Sequence, residues 1–126
     1  MQLLPGTAKE VARKTHIPYK TGRLFDPDYN MTIGGLYLGK MVEKFGGSYI
    51  LSIASYNAGQ GRIQQWLASY GNPSGTVRQR VNWIERIPTS ETRHYVEHVL
   101  ENTQVYRFIL AGEKPVKLMI ADDLLR

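Results

Sequence analysis

The 126-residue chain contains no cysteine, which excludes a disulfide framework and thiolate metal sites but leaves its compartment open. It has no apolar run long enough to cross a bilayer. Its start, Met1-Gln2-Leu3-Leu4-Pro5, is not a signal peptide, so an exported form is expected to carry its leader outside these residues. No segment alternates apolar and polar residues over a useful strand length, and there is no internal repeat or low-complexity stretch. The chemistry is restricted as well. There is no Walker loop and no G-x-S-x-G elbow, and Gly59-Gln60-Gly61 lacks the third glycine of a dinucleotide fingerprint and follows a helix instead of a strand. What remains is an all-α chain.

With 42% hydrophobic residues and this length, one compact domain is expected, residues 1–112, followed by a tail over 113–126. Sixteen Lys and Arg against eleven Asp and Glu give a net charge of +5, spread along the chain. That balance favours an anionic polymer or surface, such as nucleic acid, acidic lipid or an anionic cell-wall glycan, without choosing among them.

Taken in order, Thr7 and Glu10 have capping-box spacing and predict a helix over about 7–15, with a loop over 18–29. Ile33, Tyr37, Met41 and Phe45 recur every four residues, predicting a helix over 30–45. Its Gly34, Gly35 and Gly39 suggest that another backbone passes close by. An apolar helix over 48–57 ends in Tyr56-Asn57 and meets Gly59 and Gly61. Ile63, Trp66, Leu67 and Tyr70 form the clearest amphipathic pattern, stopped by Gly71. A short helix over 81–86 follows. Ser90 is then expected to cap the longest helix, whose core face runs through Val96, Val99, Leu100, Thr103, Tyr106 and Leu110. The tail is either packed through Val116, Leu118 and Ile120 or loose.

The residues alone leave Tyr56-Asn57 with two readings: a helix end with a satisfied tyrosine and a capping asparagine, or polar groups at a cleft edge. His94, Glu97 and His98 spell H-x-x-E-H, the pattern of an inverted zincin, on what the flanking Arg93, Tyr95 and Glu101 mark as a solvated helix face. A zinc hydrolase through these residues is therefore a minor reading, and no cofactor or metal is expected. Arg62, Arg78, Arg80, Arg86 and Arg93 form no recognition-helix pattern, which argues against nucleic acid. Tyrosine and tryptophan beside polar groups suit a sugar ring.

Four blocks together resemble one family, the catalytic domain of the soluble lytic transglycosylases, related to goose-type lysozyme. They are Met1-Gln2-Leu3-Leu4-Pro5-Gly6-Thr7-Ala8; Phe25-Asp26-Pro27-Asp28-Tyr29-Asn30 with Gly34 and Tyr37-Leu38; Ser55-Tyr56-Asn57-Ala58-Gly59-Gln60-Gly61-Arg62; and Trp83-Ile84-Glu85-Arg86-Ile87-Pro88 with Ser90-Glu91-Thr92-Arg93 and Tyr95-Val96. The resemblance covers about residues 1–110. It implies a lysozyme-like bundle of about five to six helices, lacking the family's N-terminal helix.

The family cleaves the β-1,4 bond between N-acetylmuramic acid and N-acetylglucosamine in peptidoglycan, leaving 1,6-anhydro ends. One glutamate acts first as acid and then as base. That glutamate belongs to an E-S-x-F block which the resemblance places ahead of Met1, so the chain alone is expected to be inactive. By the same resemblance Tyr56 orients the catalytic carboxylate, Gln2 and Asn57 contact sugar N-acetyl or hydroxyl groups, Met1 lines the cleft, Tyr95 closes it, and Glu85 meets the peptide stem. The implied partners are glycan strands and stem peptides of the bacterial cell envelope or periplasm. Self-association is expected to cover the surface left by the missing helix. A non-catalytic glycan-binding or interaction module is the alternative. Two departures stand out: Ser55 replaces the usual alanine, and Thr89 a frequent phenylalanine.

Overall fold

A computed structural model describes residues 3–112 and 114–126; Met1 and Gln2, both expected at the site, lie outside the described residues. Among those residues the chain forms seven α-helices, one 3-10 helix and no strand. The α-helices are α1 (Pro5–Lys14), α2 (Pro27–Lys44), α3 (Tyr49–Ala58), α4 (Gln60–Tyr70), α5 (Val77–Glu85), α6 (Ser90–Leu110) and α7 (Ile120–Leu124), with the 3-10 turn at Thr21–Phe25 between α1 and α2. None is long and apolar enough to cross a membrane.

The helix starts follow local chemistry. Proline occupies the first turn of α1, so the expected Thr7 capping box is not used and Thr7 lies inside the helix. Asp26 caps α2 by accepting from the Asp28 and Tyr29 amides at 3.0 and 3.3 Å, which moves that helix start into the predicted loop. Thr76 and Gln79 form the capping box of α5, a T-x-x-Q spacing that sets its start four residues before the expected one. The predicted two-glycine break is a one-residue break. Gly59, at φ +87, alone separates α3 from α4, while Gly61 lies within α4.

α3 runs through the centre, packed against α2, α4, α6 and α7. Its Ile50, Leu51, Ile53 and Ala54 join Ile63 and Trp66 of α4, Trp83 and Ile84 of α5, Val96 and Leu100 of α6, and Leu124 of α7 in the main core. A second cluster unites Ala8, Val11 and Ala12 of α1 with Tyr29 and Ile33 of α2. The glycines of α2 do not all serve close packing. A Cβ on Gly35 or Gly39 would meet nothing within 4 Å among the described residues, because both border a groove of about 400 Å³ between α2, α3 and α6.

The C-terminal segment docks, but not through the expected residues: Leu118 is 71% exposed, and Val116 and Ile120 are also exposed. Instead Leu124 enters the core and Asp123, 2% exposed, is gripped by α6. The Arg107 guanidinium donates through both Nη atoms to the carboxylate, with Nη2 to Oδ1 at 2.9 Å, and Gln104 Nε2 donates to Oδ2 at 2.8 Å. Gln104 Oε1 in turn accepts from the Met119 amide at 2.9 Å. Arg80 of α5 donates to the carbonyls of Leu124 and Arg126 at 3.0 and 2.9 Å.

The hydrogen bond from Arg107, ahead of the opposing effect of burial, holds the Asp123 carboxyl below its ordinary pKa. A depressed folded-state value contributes stability that is present above the ordinary carboxylate range and is lost as pH falls through the folded value. Asp123→Ala is expected to cost about 1–3 kcal/mol. It should also flatten the acid-side slope of stability over that window. Thermal unfolding followed across pH 2–6 checks both, and amide exchange in α7 should rise in the variant.

Candidate active site

Tyr56 and Asn57 occupy the last turn of α3, where adjacent positions on a helix turn to different surroundings. Tyr56 points between α2 and α6. Its ring meets Tyr37 of α2 at 5.4 Å between centroids, tilted by 56°. It lines a pocket of about 260 Å³ with Leu38 of α2, Ile53 of α3, and Tyr95, Val99, Asn102, Thr103 and Tyr106 of α6. The Tyr56 hydroxyl is buried with no hydrogen-bond partner among the described residues.

Burial is the main cause that pushes the Tyr56 phenol up to about 12, with Tyr95 and then Tyr37 adding to it. Burial also raises Tyr95. Both phenols therefore hold their protons at neutral pH and are available as donors in an apolar pocket, where a charge-assisted hydrogen bond is stronger than in water. No carboxylate lines this pocket among the described residues.

Asn57 turns instead toward the first turn of α6. Its Oδ1 accepts from the Thr92 hydroxyl at 2.7 Å, and Thr92 accepts from the Thr89 hydroxyl at 2.9 Å. Its Nδ2 lies 3.5 Å from a carboxylate oxygen of Glu91. Thr89 is the N-cap residue of α6 but its side chain makes no capping bond, so Ser90 is not the cap and the Thr89 hydroxyl serves the network instead. Glu85 ends α5 exposed and outside the pocket; its carbonyl accepts from Arg93 Nη1 at 3.2 Å. Three of the six expected contact residues, Tyr56, Asn57 and Tyr95, thus lie at or beside one cleft.

The zinc reading fails on convergence. The His94 and His98 rings lie 6.5 Å apart on an exposed face, and His98 Nδ1 faces Glu101 at 3.4 Å. Among the described residues no three metal-ligating side chains come together, whereas a zinc site takes at least three protein ligands. The expected core face of α6 is also two stripes. Val96, Leu100 and Gln104 are buried, whereas Tyr95, Val99, Thr103 and Tyr106 line the pocket, and Leu110 is 84% exposed. Tyr37, Asn102 and Thr92 are site residues that the sequence did not single out. Tyr37, beside Leu38, and Thr92, between Glu91 and Arg93, stood inside matched blocks, whereas Asn102 carried no signal.

Replacing Tyr56 by Phe is expected to remove a late-titrating phenol from the ultraviolet tyrosine titration while leaving the helical circular dichroism unchanged. In the parent chain the raised phenol contributes stability that is present below pH 10 and is lost as pH rises toward 12. The variant should lose that alkaline slope.

The chain is similar to known proteins over most of its length. The soluble lytic murein transglycosylase of Escherichia coli K12 is 44% identical over 125 residues, which are 98% of this chain and 18% of that protein. The soluble lytic murein transglycosylase of Salmonella typhimurium is 41% identical over 116 residues, 90% of this chain and 17% of that protein. The chain thus spans about one fifth of the length of these relatives. An inactive mutant of lytic transglycosylase Slt from Pseudomonas aeruginosa superposes with a TM-score of 0.80 at 41% identity, covering all of this chain and 19% of that one. A 70-kDa soluble lytic transglycosylase in complex with bulgecin A gives 0.77 at 37% identity, covering 96% of this chain and 19% of that one. Residues 1–78 match the transglycosylase SLT domain family, and the chain belongs to it.

Proposed function

We propose that this chain forms the tyrosine-lined wall of a peptidoglycan lytic transglycosylase site in the bacterial envelope. The observation that carries this reading is the buried Tyr56 hydroxyl, a protonated donor without a partner among the described residues, inside the Tyr56-Asn57 block that marks the family. Its hydroxyl would donate to a carboxylate acid/base and hold it against the glycosidic oxygen. In the reaction the acid gives its proton to the leaving O4 as the C1–O4 bond breaks. The resulting carboxylate then takes the proton of the muramyl C6 hydroxyl as O6 bonds to C1, so the sugar supplies its own nucleophile.

The acid is assigned to the glutamate of the E-S-x-F block that the resemblance places ahead of Met1. Asp123 borders the neighbouring groove, but Arg107 keeps it ionised and it has no proton to give near pH 7. Asn57, with Gln2, is assigned to sugar N-acetyl or hydroxyl groups. Tyr95 closes the cleft, and Glu85 meets the peptide stem from the exposed end of α5. The net positive charge supports attraction to the anionic wall polymer.

Digestion of purified sacculi tests the assignment. The 126 residues alone are expected to release no anhydro-muropeptides, and a form extended N-terminally through the glutamate block to release them. Release by the short form overturns the placement of the acid. Tight binding without cleavage by the extended form would instead favour the non-catalytic module.

Self-association belongs to the same reading. Val105, Tyr106, Ile109 and Leu110 form an exposed apolar stripe along one side of α6, continuous with the pocket through Tyr106. Sedimentation is expected to show concentration-dependent dimers, weakened by Ile109→Glu; a monomer throughout the micromolar range overturns it.

A further inference from the structure

We propose that the tyrosine-lined pocket between α2, α3 and α6 binds free monocarboxylic acids with a compact aromatic body, and takes them in the protonated form. The inference stands on the pocket alone and goes beyond the glycan reading. It starts from an unmet hydrogen bond. The Tyr56 hydroxyl is buried without a partner among the described residues, so an acceptor that enters the pocket gains a bond without displacing another. Tyr95 lines the same pocket and lies close enough to Tyr56 for a charge on one to be felt by the other. A carboxylic acid matches this set. Its carbonyl accepts from the Tyr56 phenol, and its single O–H donates to the Tyr95 oxygen or to the amide oxygen of Asn102, which also lines the pocket.

The rest of the wall is apolar: Leu38, Ile53 and Val99 supply aliphatic surface, and the Thr103 hydroxyl already donates to the Val99 carbonyl at 2.7 Å. An apolar cavity of ~150 Å³ takes one benzene ring, so about 260 Å³ accommodates a ring that carries a carboxyl group. No charged side chain lines the pocket among the described residues. The titratable groups that face it are phenols: Tyr56 from α3 with Tyr37 of α2 against its ring, and Tyr95 and Tyr106 from α6. Arg107 and Asp123, which border the adjoining groove, are bound to each other. Without a cation to offset desolvation, a carboxylate, phosphate or sulfonate is disfavoured and the neutral acid is the form that enters. An amide of the same shape fits less well, because its second N–H would be left unpaired among these walls.

The test is a titration of the 126-residue chain with benzoic acid, benzamide and toluene, followed through the methyl resonances of Leu38, Ile53 and Val99. At pH 5 benzoic acid is expected to shift these methyls with a Kd on the order of 1 mM, as suits a fragment of about nine heavy atoms. Toluene should compete with it, and benzamide should bind more weakly. Because the neutral acid is the bound species, its affinity should fall about tenfold or more between pH 5 and pH 7, as the acid ionises in solution. Phenols keep their protons over that range, and Asp123, held below its ordinary value, stays ionised. Capture of the anion by surface arginines predicts the opposite, equal or tighter binding at pH 7.

Tyr56→Phe, which keeps the ring and removes the donor, is expected to weaken benzoic acid roughly threefold to tenfold, the worth of one net hydrogen bond, and to leave toluene unchanged. Binding that is equal or tighter at pH 7 overturns the proposal. So does unchanged benzoic acid affinity in a folded Tyr56→Phe variant, or the absence of shifts at the pocket methyls at tenfold the expected Kd. No sugar enters this experiment, so a failure of the sacculus digestion sinks the glycan reading and leaves the acid site standing.

Discussion

Burial of α3 on every side is the constraint from which the site follows. Residues Ile50 to Ser55 are all buried, so the helix can carry no long polar side chain until its last turn. Even its serines are accommodated inside: the Ser52 hydroxyl donates back to the Ser48 carbonyl at 2.6 Å, and Ser55 lies 3.5 Å from the Met41 sulfur. Four helices hold this rod, and Tyr56 and Asn57 emerge from it where its direction is already fixed. Gly59 then turns the chain in a single residue at φ +87, which keeps α4 close and leaves no loop to blur the position of the two side chains.

The same turn of helix separates two kinds of chemistry. Tyr56 faces apolar walls, where its hydroxyl stays protonated and unshared. Asn57, one position on, faces the polar first turn of α6, where hydroxyls and a carboxylate occupy both sides of its amide. One residue is a donor because it is desolvated; the other is oriented by hydrogen-bonding groups on both sides of its amide. The clasp of α7 supports this division from a distance. Arg107 and Gln104 spend their hydrogen bonds on Asp123, which anchors the middle of α6 behind the pocket and keeps that carboxylate ionised.

The helices and the cleft pair Tyr56-Asn57 were legible because apolar periodicity and ordered blocks are local properties of the chain. The parts missed depend on what lies across from a residue. The period of α6 is the same for Leu100, which enters the core, and Tyr106, 63% exposed, because a helix repeats on all its faces and only the neighbours decide which are covered. Gly35 and Gly39 suggested close packing, since glycine in a helix is costly, yet they border open space. Thr89 was visible only as a departure from the family. Its hydroxyl gains meaning from Asn57, more than thirty residues away. The H-x-x-E-H spacing was sharp and misleading for the same reason, since a metal site needs a third ligand that sequence spacing cannot supply.

An unpaired hydroxyl inside a protein costs on the order of 1–3 kcal/mol, a sizeable part of a domain's total stability of about 5–15 kcal/mol. Nothing in the packing requires it, since phenylalanine would fill the same space between Tyr37 and Tyr95 without the penalty. A polar atom kept at that cost is most useful where an acceptor arrives from outside the described pocket. A carboxylate brought against Tyr56 would be held by a donor already dehydrated and already aimed, so little reorganisation remains when proton transfer begins. The buried phenol is thus a defect of the scaffold considered alone and an advantage once an acid is beside it, and this asymmetry is what the proposed glycan chemistry would use.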